Sequence, residues 1–154
     1  MLQVNHPAPT FSLFNADMEQ FTLSQLHGKI VVLYFYPKDD TPGCTVEAIE
    51  FSDLEDAFTA LDAVVVGISH DDCISHGSFR DKHGLTVQLL ADEDHKACEK
   101  YGVCQMREKE GKMVKCVQRS TFIINKAGVL KHMQYGVTPK GHAAEILEII
   151  KTLN

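Results

Sequence analysis

Residues 30–51 read IVVLYFYPKDDTPGCTVEAIEF, from Ile30 to Phe51, and this stretch decides the fold. Ile30 to Tyr36 is a continuous β-branched and aromatic run, the pattern of a strand buried on both faces. A proline, two aspartates and a Thr-Pro-Gly turn follow. Cys44 to Leu61 then carries apolar residues at 51, 54, 57/58 and 61, which predicts one helical face. Strand, tight loop and helix in this order place Cys44 at the carboxyl end of a central strand. Open α/β sheets put their ligand sites there.

Outward from this stretch the chain continues to alternate. Phe11 to Phe14 and Phe21 to Leu23 read as short half-buried strands. Ala63 to Ile68 is a second buried strand. Asp71 to His83 reads as a helix stopped by Gly84. Val87 to Leu90 predicts a third central strand, with a short helix from about Asp94 to Tyr101. Gln118 to Asn125 and Val129 to Tyr135 flank Lys126-Ala127-Gly128, a hairpin signal. Thr138-Pro139 reads as an N-cap and first helical residue for a terminal helix on Ile146, Leu147, Ile149 and Ile150. The charged stretch Arg107 to Lys115 reads as an exposed loop or an edge hairpin. The order resembles a thioredoxin-like α/β fold, a mixed central sheet flanked by helices with an N-terminal extension.

Composition bounds the function. The 154 residues suit a single domain over 1–154, and 44% hydrophobic with 23% charged residues is ordinary globular content. Net charge is −6, and no Lys/Arg run exceeds two residues, so a phosphate-driven nucleic-acid partner is not expected. The longest apolar run is too short for a bilayer, and residues 1–7 lack the features of a signal peptide. The expectation is a soluble, cytoplasmic protein with no membrane partner. The five cysteines are odd in number and irregularly spaced, unlike a secreted disulfide scaffold.

Cys44 stands apart from the other four. It falls in the first turn of its helix, where unpaired N–H groups and the macrodipole favour a thiolate. Thr41-Pro42-Gly43-Cys44 has the spacing of a dithiol motif with threonine in place of the first cysteine. A threonine cannot close a disulfide, but its hydroxyl can hydrogen-bond an oxygen held over the sulfur. Arg119 begins a strand expected to run antiparallel to the central ones, which brings it to the same rim as Cys44.

With these residues in place, the sequence resembles the peroxiredoxins, specifically the branch called PrxQ or bacterioferritin comigratory protein. Matching segments are FYPKDDTPGCTVEA around Cys44, Val65-Val66-Gly67-Ile68-Ser69, Leu89-Leu90-Ala91-Asp92, Tyr101-Gly102-Val103 and Arg119-Ser120-Thr121-Phe122-Ile123-Ile124. The resemblance implies that Cys44 is the peroxidatic cysteine, with Thr41, Pro42 and Arg119 completing its pocket. Thr41 Oγ and the N–H groups near Gly43 and Cys44 would donate to the developing oxyanion. Pro42 would shield the sulfur, and Glu47 would orient Arg119. Implied substrates are hydrogen peroxide and organic hydroperoxides. Thioredoxin or glutathione/glutaredoxin is the implied reductant, with no metal, haem or flavin cofactor and a monomeric state.

The chain departs from the branch where the sulfenic acid must be resolved. Ile49 and Arg80 stand where PrxQ proteins carry their resolving cysteine. Cys73, near the start of the helix after the second central strand, is the best-placed partner by topology. A bystander role for Cys73, with an external thiol resolving Cys44, stays open. Cys98, Cys104 and Cys116 read as packing residues. Two other classes compete: a zinc module built on His70-Asp71-Asp72-Cys73-Ile74-Ser75-His76, and a non-enzymatic adaptor of the same fold. The adaptor has no need of the Thr41, Cys44 and Arg119 set.

Overall fold

The computed structural model describes residues 2–153; Met1 and Asn154, the ends of the expected 1–154 domain, lie outside the described residues. The strands are β1 (Ser12–Asn15), β2 (Gln20–Thr22), β3 (Ile30–Phe35), β4 (Ala63–Ser69), β5 (Gln88–Ala91), β6 (Cys104–Lys109), β7 (Lys112–Val117), β8 (Ser120–Ile124) and β9 (Leu130–Tyr135). The helices are α1 (Pro42–Asp53), α2 (Glu55–Ala60), α3 (Cys73–His83), α4 (Lys96–Lys100) and α5 (His142–Thr152). Seven strands form one mixed sheet in the order β2-β1-β5-β4-β3-β8-β9. β3, β4 and β5 are parallel, and β8 returns antiparallel to β3 with Phe35 opposite Ser120. That register sets Arg119 beside the end of β3, where the chain turns toward α1.

Strand periodicity divides the core. Val32, Tyr34 and Tyr36 face Phe51 and Phe58, Phe79 of α3 and Ile146 and Ile150 of α5. Val31, Leu33 and Phe35 face the other way, into a second cluster with Ala97, Tyr101, Val117 and Phe122. Residues that alternate in β3 therefore belong to opposite layers, which is why the whole run is apolar. Burying each such side chain contributes roughly 1.5–3 kcal/mol. Among the described residues no helix is long and apolar enough to cross a membrane.

Several local expectations are corrected. The helix read over 44–61 is two: Leu54 leaves helical geometry at φ −97° and ψ 9°, although its N–H still bonds the Glu50 carbonyl. No proline or glycine marks that break. The last helix starts at His142, after Gly141 at φ 82°, and not at Thr138-Pro139. Gly141 tolerates that left-handed backbone, its N–H donates to the Glu50 carboxylate at 2.8 Å, and Pro139 packs against α1 instead. Of the two readings of the charged stretch Arg107 to Lys115, the hairpin holds: it lies inside β6–β7, which form their own two-stranded sheet and not an edge of the main one. Cys104, expected in a loop, opens β6 and forms a disulfide with Cys98 of α4, Cα atoms 5.5 Å apart. A packing role for those two cysteines therefore gives way to a covalent one. Gly84 does stop α3, and Asp72 caps it by accepting from the Ser75 N–H at 2.8 Å.

Candidate active site

Pro42, Gly43 and Cys44 are the first three residues of α1, after Thr41 at the cap. The first helical bond runs from the Thr45 N–H to the Thr41 carbonyl at 2.8 Å. Cys44 thus lies at the positive end of the helix, with its thiol free and 1% exposed. Arg119 Nη2 donates to Cys44 Sγ at 3.3 Å, and Nη1 donates to Glu47 Oε1 at 2.7 Å. One guanidinium, fixed in a plane, serves both groups. It is anchored from behind, where the Arg119 carbonyl accepts from the Val137 N–H at 2.9 Å.

Gly43 is glycine for a reason of space. A Cβ there would sit 3.1 Å from Arg119 Nη2 and 3.2 Å from Pro139 Cγ. The bare backbone lets the guanidinium reach the sulfur. Sequence reading did not find Pro139, because a proline after a threonine carries the signal of a helix start.

Burial sets the charges. It pushes the Glu47 carboxyl up to about 7, against the pull of Arg119, and leaves Glu47 Oε2 without a hydrogen-bond partner. Burial also works against the Arg119 cation, but Glu47 and Cys44 outweigh it and hold that group above its ordinary value. The Tyr34 phenol is raised well above its usual range by burial and then by Glu47 and Cys44, so it stays a neutral wall of the site. Burial, then Glu93 and Asp72, push the Cys73 thiol up.

Sequence and structure differ at Thr41. Its hydroxyl donates to the Lys38 carbonyl at 2.8 Å, so its only proton is committed to the loop. Toward a peroxide it presents lone pairs, an acceptor for the substrate O–H where a donor to the oxyanion was expected. Cys73 is the first residue of α3, a free thiol at the same end of the sheet as Cys44. Of the zinc alternative, Asp71 and His76 do converge, but with Asp39: among the described residues this is the one group whose donor atoms lie within 4.8 Å of one another. His70 and Cys73 are outside it. The donors are already bonded to each other and to neighbouring hydroxyls.

The AhpC/TSA family matches residues 4–133. The chain is 50% identical over 147 residues to the putative peroxiredoxin bcp of Helicobacter pylori, covering 96% of this chain and 97% of that one. This chain belongs to the AhpC/TSA family, in the Bcp/PrxQ branch of the peroxiredoxins. As a peroxiredoxin it is an enzyme of the thiol peroxidase class. It is 41% identical over 153 residues to peroxiredoxin Bcp of Bacillus subtilis, covering 99% and 98% of the two chains. A solved structure of the Xanthomonas campestris bacterioferritin comigratory protein, studied for alkyl peroxide reduction, superposes at a TM-score of 0.91 with 32% identity, covering 98% of this peroxiredoxin and 99% of that chain. Xylella fastidiosa PrxQ superposes at 0.93 with 31% identity, covering 99% and 98%. The thioredoxin-like fold is shared throughout.

Proposed function

We propose that this peroxiredoxin reduces hydrogen peroxide and organic hydroperoxides through Cys44, and that the chain acts as one domain. The observation that carries the reading is Arg119 Nη2 at 3.3 Å from Cys44 Sγ, at the amino end of α1. The thiolate attacks one peroxide oxygen, the O–O bond breaks, and the departing hydroxide or alkoxide takes a proton from solvent. Cys44 is left as a sulfenic acid. Arg119 and the first-turn N–H groups of Gly43 and Cys44 stabilise the departing charge. Thr41 orients the peroxide by accepting its O–H, Pro42 shields the sulfur, and Glu47 holds Arg119 in plane.

Cys73 then condenses with the sulfenic acid, releasing water and forming a Cys44–Cys73 disulfide. Both cysteines sit in first helical turns, the segments that open at least cost, and unwinding there brings the sulfurs together. Thioredoxin or glutathione/glutaredoxin returns the protein to its dithiol form. An external thiol that reduces Cys44 directly is the alternative, favoured by the raised Cys73 thiol. The reading includes a monomeric, cytoplasmic enzyme that needs no metal, haem or flavin.

Peroxide turnover by the wild type, Cys44→Ser and Cys73→Ser, with each reductant system in turn, tests it. Cys44→Ser is expected to abolish turnover with the fold intact; a tenth of the activity remaining would overturn the assignment. Cys73→Ser is expected to accumulate sulfenic or overoxidised Cys44 with thioredoxin. Normal turnover with every reductant would make Cys73 a bystander.

A further inference from the structure

Behind the peroxidatic loop lies a buried polar cluster that the chemistry above does not use. Asp39 Oδ2 lies 2.7 Å from His76 Nδ1 and accepts from Ser75 Oγ at 2.7 Å. Asp39 Oδ1 accepts from the Tyr36 hydroxyl at 2.6 Å. The Asp39 N–H donates to Asp71 Oδ2 at 2.8 Å, and that oxygen also accepts from Ser69 Oγ. His76 is fully buried, and its Nε2 lies 2.9 Å from the Leu90 carbonyl of β5.

The proton count follows from the partners. A carbonyl only accepts, so Nε2 carries a hydrogen. Nδ1 faces a carboxylate oxygen, so a second proton lies between His76 and Asp39. The pair is imidazolium with carboxylate, or imidazole with carboxylic acid. Both arrangements are neutral overall, the condition under which such groups survive burial. Tyr36, raised by burial and then by Asp39, remains a donor to the pair. Asp71 is the other ionisable group facing it, and β5 contributes the carbonyl of Leu90.

We propose that the Asp39–His76 pair is a positioning element of the peroxidatic pocket, fixing the Lys38–Thr41 loop on α3 so that Thr41 is set for the peroxide. This rests on the reading of Cys44 as the peroxidatic cysteine. The path is short: Asp39 adjoins Lys38, whose carbonyl takes the Thr41 hydroxyl proton. Asp40, between them, adopts φ +58°, a backbone conformation that surrounding contacts must impose. Those contacts come from both ends of α3. Asp39 is held by Ser75 and His76 of its first turns, and Asp40 by Lys82 and His83 of its last, at 2.6 and 2.8 Å. Releasing His76 takes from Asp39 its bond to a fully buried side chain and leaves the strained loop to Ser75, Tyr36 and Asp71 on that side and to Lys82 and His83 on the other.

Two substitutions separate the bonds of His76. In His76→Asn the amide nitrogen stands near the position of Nδ1 and keeps the bond to Asp39. In His76→Gln it reaches the position of Nε2 and keeps only the bond to Leu90. Single-turnover oxidation of Cys44 by hydrogen peroxide is measured for both, beside its alkylation by iodoacetamide. Alkylation needs the thiolate but not Thr41. His76→Gln is expected to slow peroxide attack on the order of tenfold or more, as misplacement of a reacting group by a fraction of an ångström does, with alkylation within a factor of about two of wild type. His76→Asn is expected to recover most of the peroxide rate. Equal peroxide rates in wild type and His76→Gln overturn the proposal, as does an equal fall in both reactions without recovery in His76→Asn. A wild type whose Cys44 does not react with peroxide would instead overturn the peroxidatic reading.

Discussion

Replacing Glu47 by glutamine isolates the charge that the pocket keeps least comfortably. The Glu47 side chain is 0% exposed, one oxygen is bound by Arg119 at 2.7 Å, and the other has no partner. Burial raises its carboxyl from 4.5 to about 7 in spite of that cation. The folded chain therefore holds this proton more tightly than the unfolded chain does. The stability it confers is complete below the unfolded value and is lost as pH rises through about 7. A rise of that size corresponds to about 3 kcal/mol, most of which falls between pH 5 and pH 8. Glutamine keeps the shape and one acceptor for Arg119 but does not titrate. Urea unfolding from pH 5 to pH 8 measures the effect, with both proteins carrying Cys44→Ser so that the thiol contributes nothing. The stability of the Glu47→Gln protein relative to its parent is expected to rise by about 2–3 kcal/mol across that range. A difference constant to within about 0.5 kcal/mol would refute the reasoning, because Glu47 would then titrate as it does in the unfolded chain.

Arg119→Ala removes the donor on the sulfur and is expected to slow peroxide attack by about 10²–10³, read by single-turnover oxidation of Cys44. Gly43→Ala places a methyl 3.1 Å from Arg119 Nη2 and 3.2 Å from Pro139 Cγ. It should slow attack about five- to tenfold with little loss of thermal stability, since the shift is a few tenths of an ångström and alanine suits a helix. Cys98→Ser opens the short loop closed by the Cys98–Cys104 disulfide and is expected to cost about 2 kcal/mol in urea unfolding, while peroxide attack at Cys44 stays at the wild-type rate.

The sequence by itself determined the sheet and the place of Cys44. An unbroken apolar run such as Ile30 to Tyr36 is stable only between two layers, and Pro42 is tolerated only where a helix begins. Together they put Cys44 at the rim, and the antiparallel return of β8 put Arg119 beside it. These are local rules of backbone sterics and side-chain period, readable within a window of ten to twenty residues. Glu47 was legible as a companion of Arg119, but not its missing second partner, because burial depends on everything packed around it.

Tertiary structure alone decided the rest. The direction of the Thr41 hydroxyl depends on whether the Lys38 carbonyl comes within reach, which loop geometry settles and composition does not. The Asp39–His76 pair joins residues 37 positions apart, and the Cys98–Cys104 bond depends on where β6 begins. Thr138-Pro139 carried a correct local signal that lost: packing of Pro139 over Gly43 and capture of the Gly141 N–H by Glu50 moved the start of α5. Local propensities amount to about 1 kcal/mol per residue, and a few buried contacts from distant segments outweigh them. The position of Cys44 was therefore written in its neighbours along the chain, and its buried surroundings in neighbours that only folding brings near.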